Sequence, residues 1–190
     1  YASGQYDSAL IYYDKVLELD PQNSSGLYNK GLTFYSKQDY AKSMEMLRQC
    51  ISLHPDNTDT YIIMGDNHYS QDQFTQALVW YKQAYDKGAR NSGLLNIMAY
   101  LYDQQNQRSE AIRLYKETLQ LDSSLVDVYN RLAELEPNRA DWYKKKAEAW
   151  KWSFYTYLWP PGVNPSNNDM SIQERFSKED LERIKKAVHD

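Results

Sequence analysis

Residues 27–55 read LYNKGLTFYSKQDYAKSMEMLRQCISLHP, and this stretch decides the fold. Leu27, Gly31 and Phe34 fall at i, i+4 and i+7, which is one face of a helix. Asp39-Tyr40 makes the turn. Ser43, Leu47 and Cys50 then share one face of a second helix. Pro55 ends that helix, because its ring disfavours the helical conformation in the residue before it. One unit thus holds two amphipathic helices and a stop.

The unit recurs. Pro21 and Pro55 stand 34 residues apart, each after an apolar helical run (Val16 to Asp20, Cys50 to His54). Gly31 and Gly65 keep the same step, which then lands on Ala99 and Ala133. Ala9, Ser43, Ala77 and Ala111 form a second series, and Tyr13, Leu47, Tyr81 and Tyr115 a third. Val16, Cys50, Ala84 and Thr118 form a fourth. Several series in one register do not arise by chance. The Gly31 and Ala9 series place small residues where two helices cross closely. The Tyr13 series fills the space between neighbours with an aromatic.

This pattern resembles the tetratricopeptide repeat, a helix–turn–helix whose signature is W-x2-L-G-x2-Y, then A-x3-F, then P. The matches are Leu27, Gly31, Phe34, Ser43, Leu47 and Pro55; then Tyr61, Gly65, His68, Ala77 and Tyr81; then Leu95, Ala99, Tyr102, Ala111 and Tyr115. The first unit keeps only Ala9, Tyr13 and Pro21, so most of its first helix is missing. Ala89 and Ser123 replace the prolines of the third and fourth units. The resemblance implies an all-α fold, a right-handed superhelical solenoid of antiparallel helix pairs with a C-terminal helical capping extension. Residues 1–136 form the array, about four and a half repeats. Residues 137–158 form an atypical, aromatic-rich terminal helix, and residues 159–190 a Pro/Asn loop plus a short C-terminal helix.

Composition fits this reading. Seven Gly and six Pro in 190 residues are few, as expected for helices joined by short turns. The net charge of −4 excludes broad, sequence-independent nucleic-acid binding. No apolar run approaches the length of a membrane helix, so no membrane insertion is expected. The single Cys50 excludes an internal disulfide and a multi-cysteine zinc site. Cytoplasm and periplasm are both compatible with it. A chain that opens at Tyr1 without Met is expected to be a fragment or a processed product.

The tail differs in character. Pro137 stops the fifth first-helix, which runs from Leu125 to Glu136. Four of the five Trp lie from Trp142 onward, densest in residues 150–159. Three roles are open for that segment: a cap on the last repeat, a docking surface for another protein, or contact with a membrane interface near Lys144, Lys145 and Lys146. Ser177 as N-cap, Asp180 at N3, and Leu181, Ile184 and Val188 as the apolar stripe predict a last short helix.

No catalytic constellation is present. The chain has no Gly-rich phosphate loop, HExxH, GxSxG or CxxC. His68 falls on an aromatic core position of its repeat, His54 lies in an inter-repeat turn, and Cys50 sits at a small core position where a thiol is inert. Neither enzymatic activity nor a cofactor or metal is expected.

The family resemblance also implies a ligand face. Successive first helices present the second, fifth, sixth, ninth, twelfth and thirteenth residues of each repeat on the concave side. Those positions point to Tyr28, Asn29, Tyr35, Asp59, Ile62, Asp66, Tyr69, Asn96, Tyr100, Asp103, Asn130 and Arg131. Chaperone-binding members clamp a C-terminal carboxylate between Lys, Asn and Arg. Here Asn29 occupies one clamp position, but Tyr28, Asp59 and Ile63 stand where the basic residues belong, so that ligand is disfavoured. Tyr and Asn suit an extended peptide, and the Asp residues favour a neutral or basic one. A solvated acidic face with Tyr in ordinary packing is the other reading. The expected role is a protein–protein interaction scaffold or adaptor for a peptide or partner helix. The alternative is a non-catalytic module of a larger enzyme, secretion or cell-envelope assembly. The uncovered face of the truncated first repeat also offers a surface for self-association.

Overall fold

The computed structural model describes residues 2–158, with side chains from residue 5 to residue 151. All its regular structure is helical. The helices are α1 (Ala2–Leu19), α2 (Ser24–Ser36), α3 (Tyr40–Leu53), α4 (Thr58–Tyr69), α5 (Phe74–Asp86), α6 (Ser92–Gln104), α7 (Arg108–Leu121), α8 (Val126–Leu135) and α9 (Ala140–Leu158). A single 3-10 turn, Pro137–Arg139, leads into α9. The chain divides into two compact units, residues 1–105 and 106–190. The expected last helix and residues 159–190 lie outside the described residues.

In the first unit α2 pairs with α3 and α4 with α5. Gly31 and Gly65 are why the pairs close. A Cβ on Gly31 would come within 3.0 Å of Leu47 on α3. Met44, Leu47 and Met64 form one core cluster of this unit, with Tyr28, Ile51, Ile63 and Trp80 packed around them. The four series behave as one register. Ser43, Ala77 and Ala111 are buried, as are Leu47, Tyr81 and Tyr115, and Cys50, Ala84 and Thr118. Their α1 counterparts Ala9, Tyr13 and Val16 are only half-buried. Ile11, Tyr12 and Leu19 of α1 are exposed.

Two further series at the same step set the helix ends. Asn23, Asn57 and Asn91 cap α2, α4 and α6, accepting from the amides of Gly26, Thr60 and Leu94 at 2.8, 3.2 and 2.8 Å. Each such cap contributes about 1 kcal/mol. Gln38, Asp72 and Asn106 adopt left-handed conformations, with φ of 61°, 57° and 59°, in the turns that precede α3, α5 and α7. Where the proline stop is missing, other chemistry ends the helix. After α5, Gly88 turns the chain at φ 101°. The Arg90 guanidinium lies 3.6 Å from the Tyr85 ring centroid and donates to the carbonyls of Tyr85 (2.6 Å) and Ala89 (2.8 Å). After α7, Asp122 accepts from the Ser124 amide (3.0 Å) and hydroxyl (2.6 Å).

In the second unit α8 packs on α9. The Glu136 carboxylate joins three elements. It accepts from Lys116 Nζ of α7 at 2.9 Å and from the Tyr143 hydroxyl of α9. Arg108 donates to the Leu135 carbonyl and so caps α8. Tyr143 is buried, and that burial, then the hydrogen bond to and charge of Glu136, push its phenol up to about 12.

Candidate functional site

Ten of the twelve sequence-derived residues belong to the first unit, on α2, α4 and α6, the first helices of their pairs. Two links join these helices along one face. The Tyr35 hydroxyl and Ser70 Oγ stand 3.1 Å apart, tying α2 to the end of α4. Burial first, then the proximity of Tyr100 on α6 and of Asp72, raise the phenol of Tyr69 on α4.

Asp66 is the chemical centre of this face. It is half-buried rather than freely solvated, and burial raises its carboxyl above the usual range. The hydroxyl of Tyr81, from α5, donates to Oδ1 at 2.6 Å and partly offsets that rise. Burial and the Asp66 carboxylate together hold the Tyr81 phenol fully protonated. Tyr81 itself is 0% exposed. Its ring reaches Asp66 because Gly65 has no side chain: a Cβ there would stand 2.5 Å from Cδ1 and 2.9 Å from Cζ, and closer still to Cε1. One missing methyl group therefore positions the hydrogen bond. The sequence places Tyr81 in the core, which is right for its ring and misses its hydroxyl. The usable signal was the adjacency of Gly65 and Asp66, with an aromatic fixed opposite the glycine.

Tyr28 borders Asp66. Burial first, then the charges of Asp59 and Asp66, raise its phenol. It also packs on the Met44, Leu47 and Met64 cluster, so it serves core and surface at once. Asp59 is exposed and Ile62 half-buried. Asn29 is less available than the sequence suggests, because its amide donates to the Ser25 carbonyl at 2.8 Å. Asn96 is half-buried and holds no hydrogen bond among the described residues. Tyr100 is 41% exposed. Asp103, in contrast, is 9% exposed and mostly inside.

Asn130 and Arg131 belong to the second unit. Asn130 lines an open cleft of about 500 Å³ with Ala133, Glu134, Pro137 and Lys144. Arg131 is bound by Glu134 one helical turn on.

The side chains set aside as structural behave so, with one difference. Cys50 is buried with Sγ 3.5 Å from Thr60 Oγ1. His54 is exposed. His68 is half-buried rather than a core aromatic, and its Nδ1 lies 2.6 Å from Gln73 Oε1, linking the end of α4 to the start of α5. An imidazole can satisfy a polar partner at that edge where a phenyl ring cannot. Among the described residues no group of three His, Cys, Asp or Glu is placed to hold a metal, and no helix is long and apolar enough to cross a membrane.

The family model for the anaphase-promoting complex, cyclosome, subunit 3 matches residues 2–66, and a tetratricopeptide repeat model matches residues 94–141. A crystal structure of MamA is similar with a TM-score of 0.70 and 22% identity, over 82% of this chain and 94% of that one. MamA from Desulfovibrio magneticus RS-1 gives 0.62 and 15% identity, over 85% and 90%. YrrB, a tetratricopeptide repeat protein with an unusual peptide-binding site, gives 0.60 and 17%, over 85% and 81%. These identities speak to the fold. Repeat register, paired helices and both family matches agree: the chain is an all-α solenoid protein of the tetratricopeptide repeat family.

Proposed function

We propose that this protein is a non-catalytic scaffold that holds an extended, neutral or basic peptide, or a partner helix, on the face formed by α2, α4 and α6. Its family is one of protein-interaction modules, and that coarser role is the starting point. One observation carries the finer reading. On this face α4 bears Asp59 and Asp66, whereas Asp103 of α6 lies mostly inside, and the three helices carry a single lysine, Lys30, whose ammonium is bound 2.6 Å away by Asp14 of α1. The face is therefore negative and rich in phenols, and it repels an acidic ligand. Tyr35, Tyr69 and Tyr100 supply rigid contact area with a polar tip. Asn96 has its amide available for a peptide backbone.

A peptide array spanning acidic, neutral and basic sequences tests this against wild type, Tyr69→Ala and Asn96→Ala. Neutral and basic peptides are expected to bind, and each substitution to weaken them several-fold. Binding that tracks acidic peptides, or is indifferent to both substitutions, refutes the proposal.

A further inference from the structure

We infer that Asp66 anchors a lysine side chain of the bound partner, taken at one carboxylate oxygen beside the rings of Tyr28 and Tyr69. This deepens the peptide-binding reading and rests on it. Three observations lead here.

The first is an uncompensated charge. Asp66 is half-buried, its single hydrogen bond comes from the neutral Tyr81, and no cation among the described residues lies within 4.0 Å. A desolvated carboxylate without a countercharge is costly, and an asparagine there would still accept from Tyr81. The second is contrast. Elsewhere in this unit Asp7, Asp14, Asp39, Asp56 and Asp86 each hold a lysine. Asp66, although half-buried, holds none among the described residues. The third is stereochemistry. Tyr81 occupies Oδ1, which leaves Oδ2 as the open acceptor. An arginine fork needs two oxygens side by side, whereas an ammonium is a point charge that one oxygen satisfies. The Tyr28 phenol, close enough to feel the Asp66 charge, and the Tyr69 phenol, close enough to act on Tyr81, suit both the lysine methylenes and the charge at their end.

The test uses fluorescein-labelled nonapeptides with the central residue set to Lys, Arg, norleucine or Glu and the flanks randomised. The best Lys peptide is then remade in all four versions and titrated by fluorescence polarisation. Lys is expected to bind about tenfold tighter than norleucine, the scale of one charge-assisted hydrogen bond, and tighter than Arg or Glu. Asp66→Asn is expected to erase the advantage of Lys over norleucine while leaving the norleucine peptide unchanged. An advantage that survives Asp66→Asn overturns the inference, as does equal binding of Lys and norleucine by wild type. Should Asp66→Asn lose its helical circular dichroism, the wild-type ranking and its salt dependence still decide: a Lys preference that fades with salt supports the anchor, and one that does not overturns it. Peptides that bind regardless of the central residue, yet are weakened by Tyr69→Ala, leave the groove standing and remove the anchor. If wild type binds no peptide, both fall.

Discussion

Gly65→Ala is the sharpest probe of how this fold builds its surface. In a helix interior, alanine is worth about 1 kcal/mol over glycine. At Gly65 that gain meets an obstacle. The new methyl would sit 2.5 Å from Cδ1 of Tyr81, so the ring must retreat by roughly 1 Å to reach ordinary contact. It has nowhere to go, because it is fully buried and its hydroxyl is held by Asp66. Overpacking of this kind costs about 1–3 kcal/mol, and a contact this short belongs at the upper end or above. Net destabilisation of about 2 kcal/mol follows once the helix gain is subtracted. Gly93→Ala is the control. Its Cβ would meet nothing nearer than Asn91 Oδ1 at 3.4 Å, so it is expected to be neutral or stabilising. Urea unfolding followed by far-ultraviolet circular dichroism measures both. A double-mutant cycle with Tyr81→Leu locates the strain, because the cost of Gly65→Ala should shrink when the ring is gone. A Gly65→Ala protein as stable as wild type, or a cost that does not depend on residue 81, would refute the close-crossing argument. The same substitution should also disturb the Tyr81–Asp66 hydrogen bond and with it peptide affinity.

Two further perturbations test the rest of the fold. Ser43 is 0% exposed and its Oγ has no partner, while the same repeat position holds Ala77 and Ala111. Ser43→Ala should therefore stabilise by about 1 kcal/mol in the same urea experiment, since an orphaned buried hydroxyl carries its desolvation cost uncompensated. The Lys116 ammonium, then the Tyr143 hydroxyl, hold the Glu136 carboxyl below its ordinary value. A depressed carboxyl stabilises the fold above its unfolded pKa and loses that contribution as pH falls through the folded one. The stability gap between wild type and Glu136→Gln should thus be open near neutral pH and close as pH falls through and below the ordinary glutamate range. A gap that stays constant with pH would exclude Glu136 as the acid-sensitive tie of α7, α8 and α9.

Most of the architecture was legible because it is written several times. A 34-residue step shows small residues at crossings, aromatics between pairs and prolines at stops, and each copy corroborates the others. Two series in the same register escaped a search built on hydrophobicity. The Asn23, Asn57 and Asn91 caps are polar, and Gln38, Asp72 and Asn106 share no chemistry at all, only a left-handed backbone. Their common demand is geometric, and three different side chains meet it. The proposed interaction face was legible in part for a related reason. A positional rule assigns residues to a side of the helix, and so it puts Asp66, Tyr69 and Asn96 on the proposed face. It could not say that Asn29 would bond its own helix, that Asp103 would turn inward, or that Tyr81 would cross from the core to bond Asp66. Those outcomes depend on distances between helices. The last of them rests on Gly65, a residue of the structural series with no functional group of its own. In a repeat protein the series make the copies alike, and a single departure between them can make one copy chemically distinct. Here Gly65 faces a tyrosine where Gly31 faces a leucine, and that difference puts a hydroxyl on Asp66.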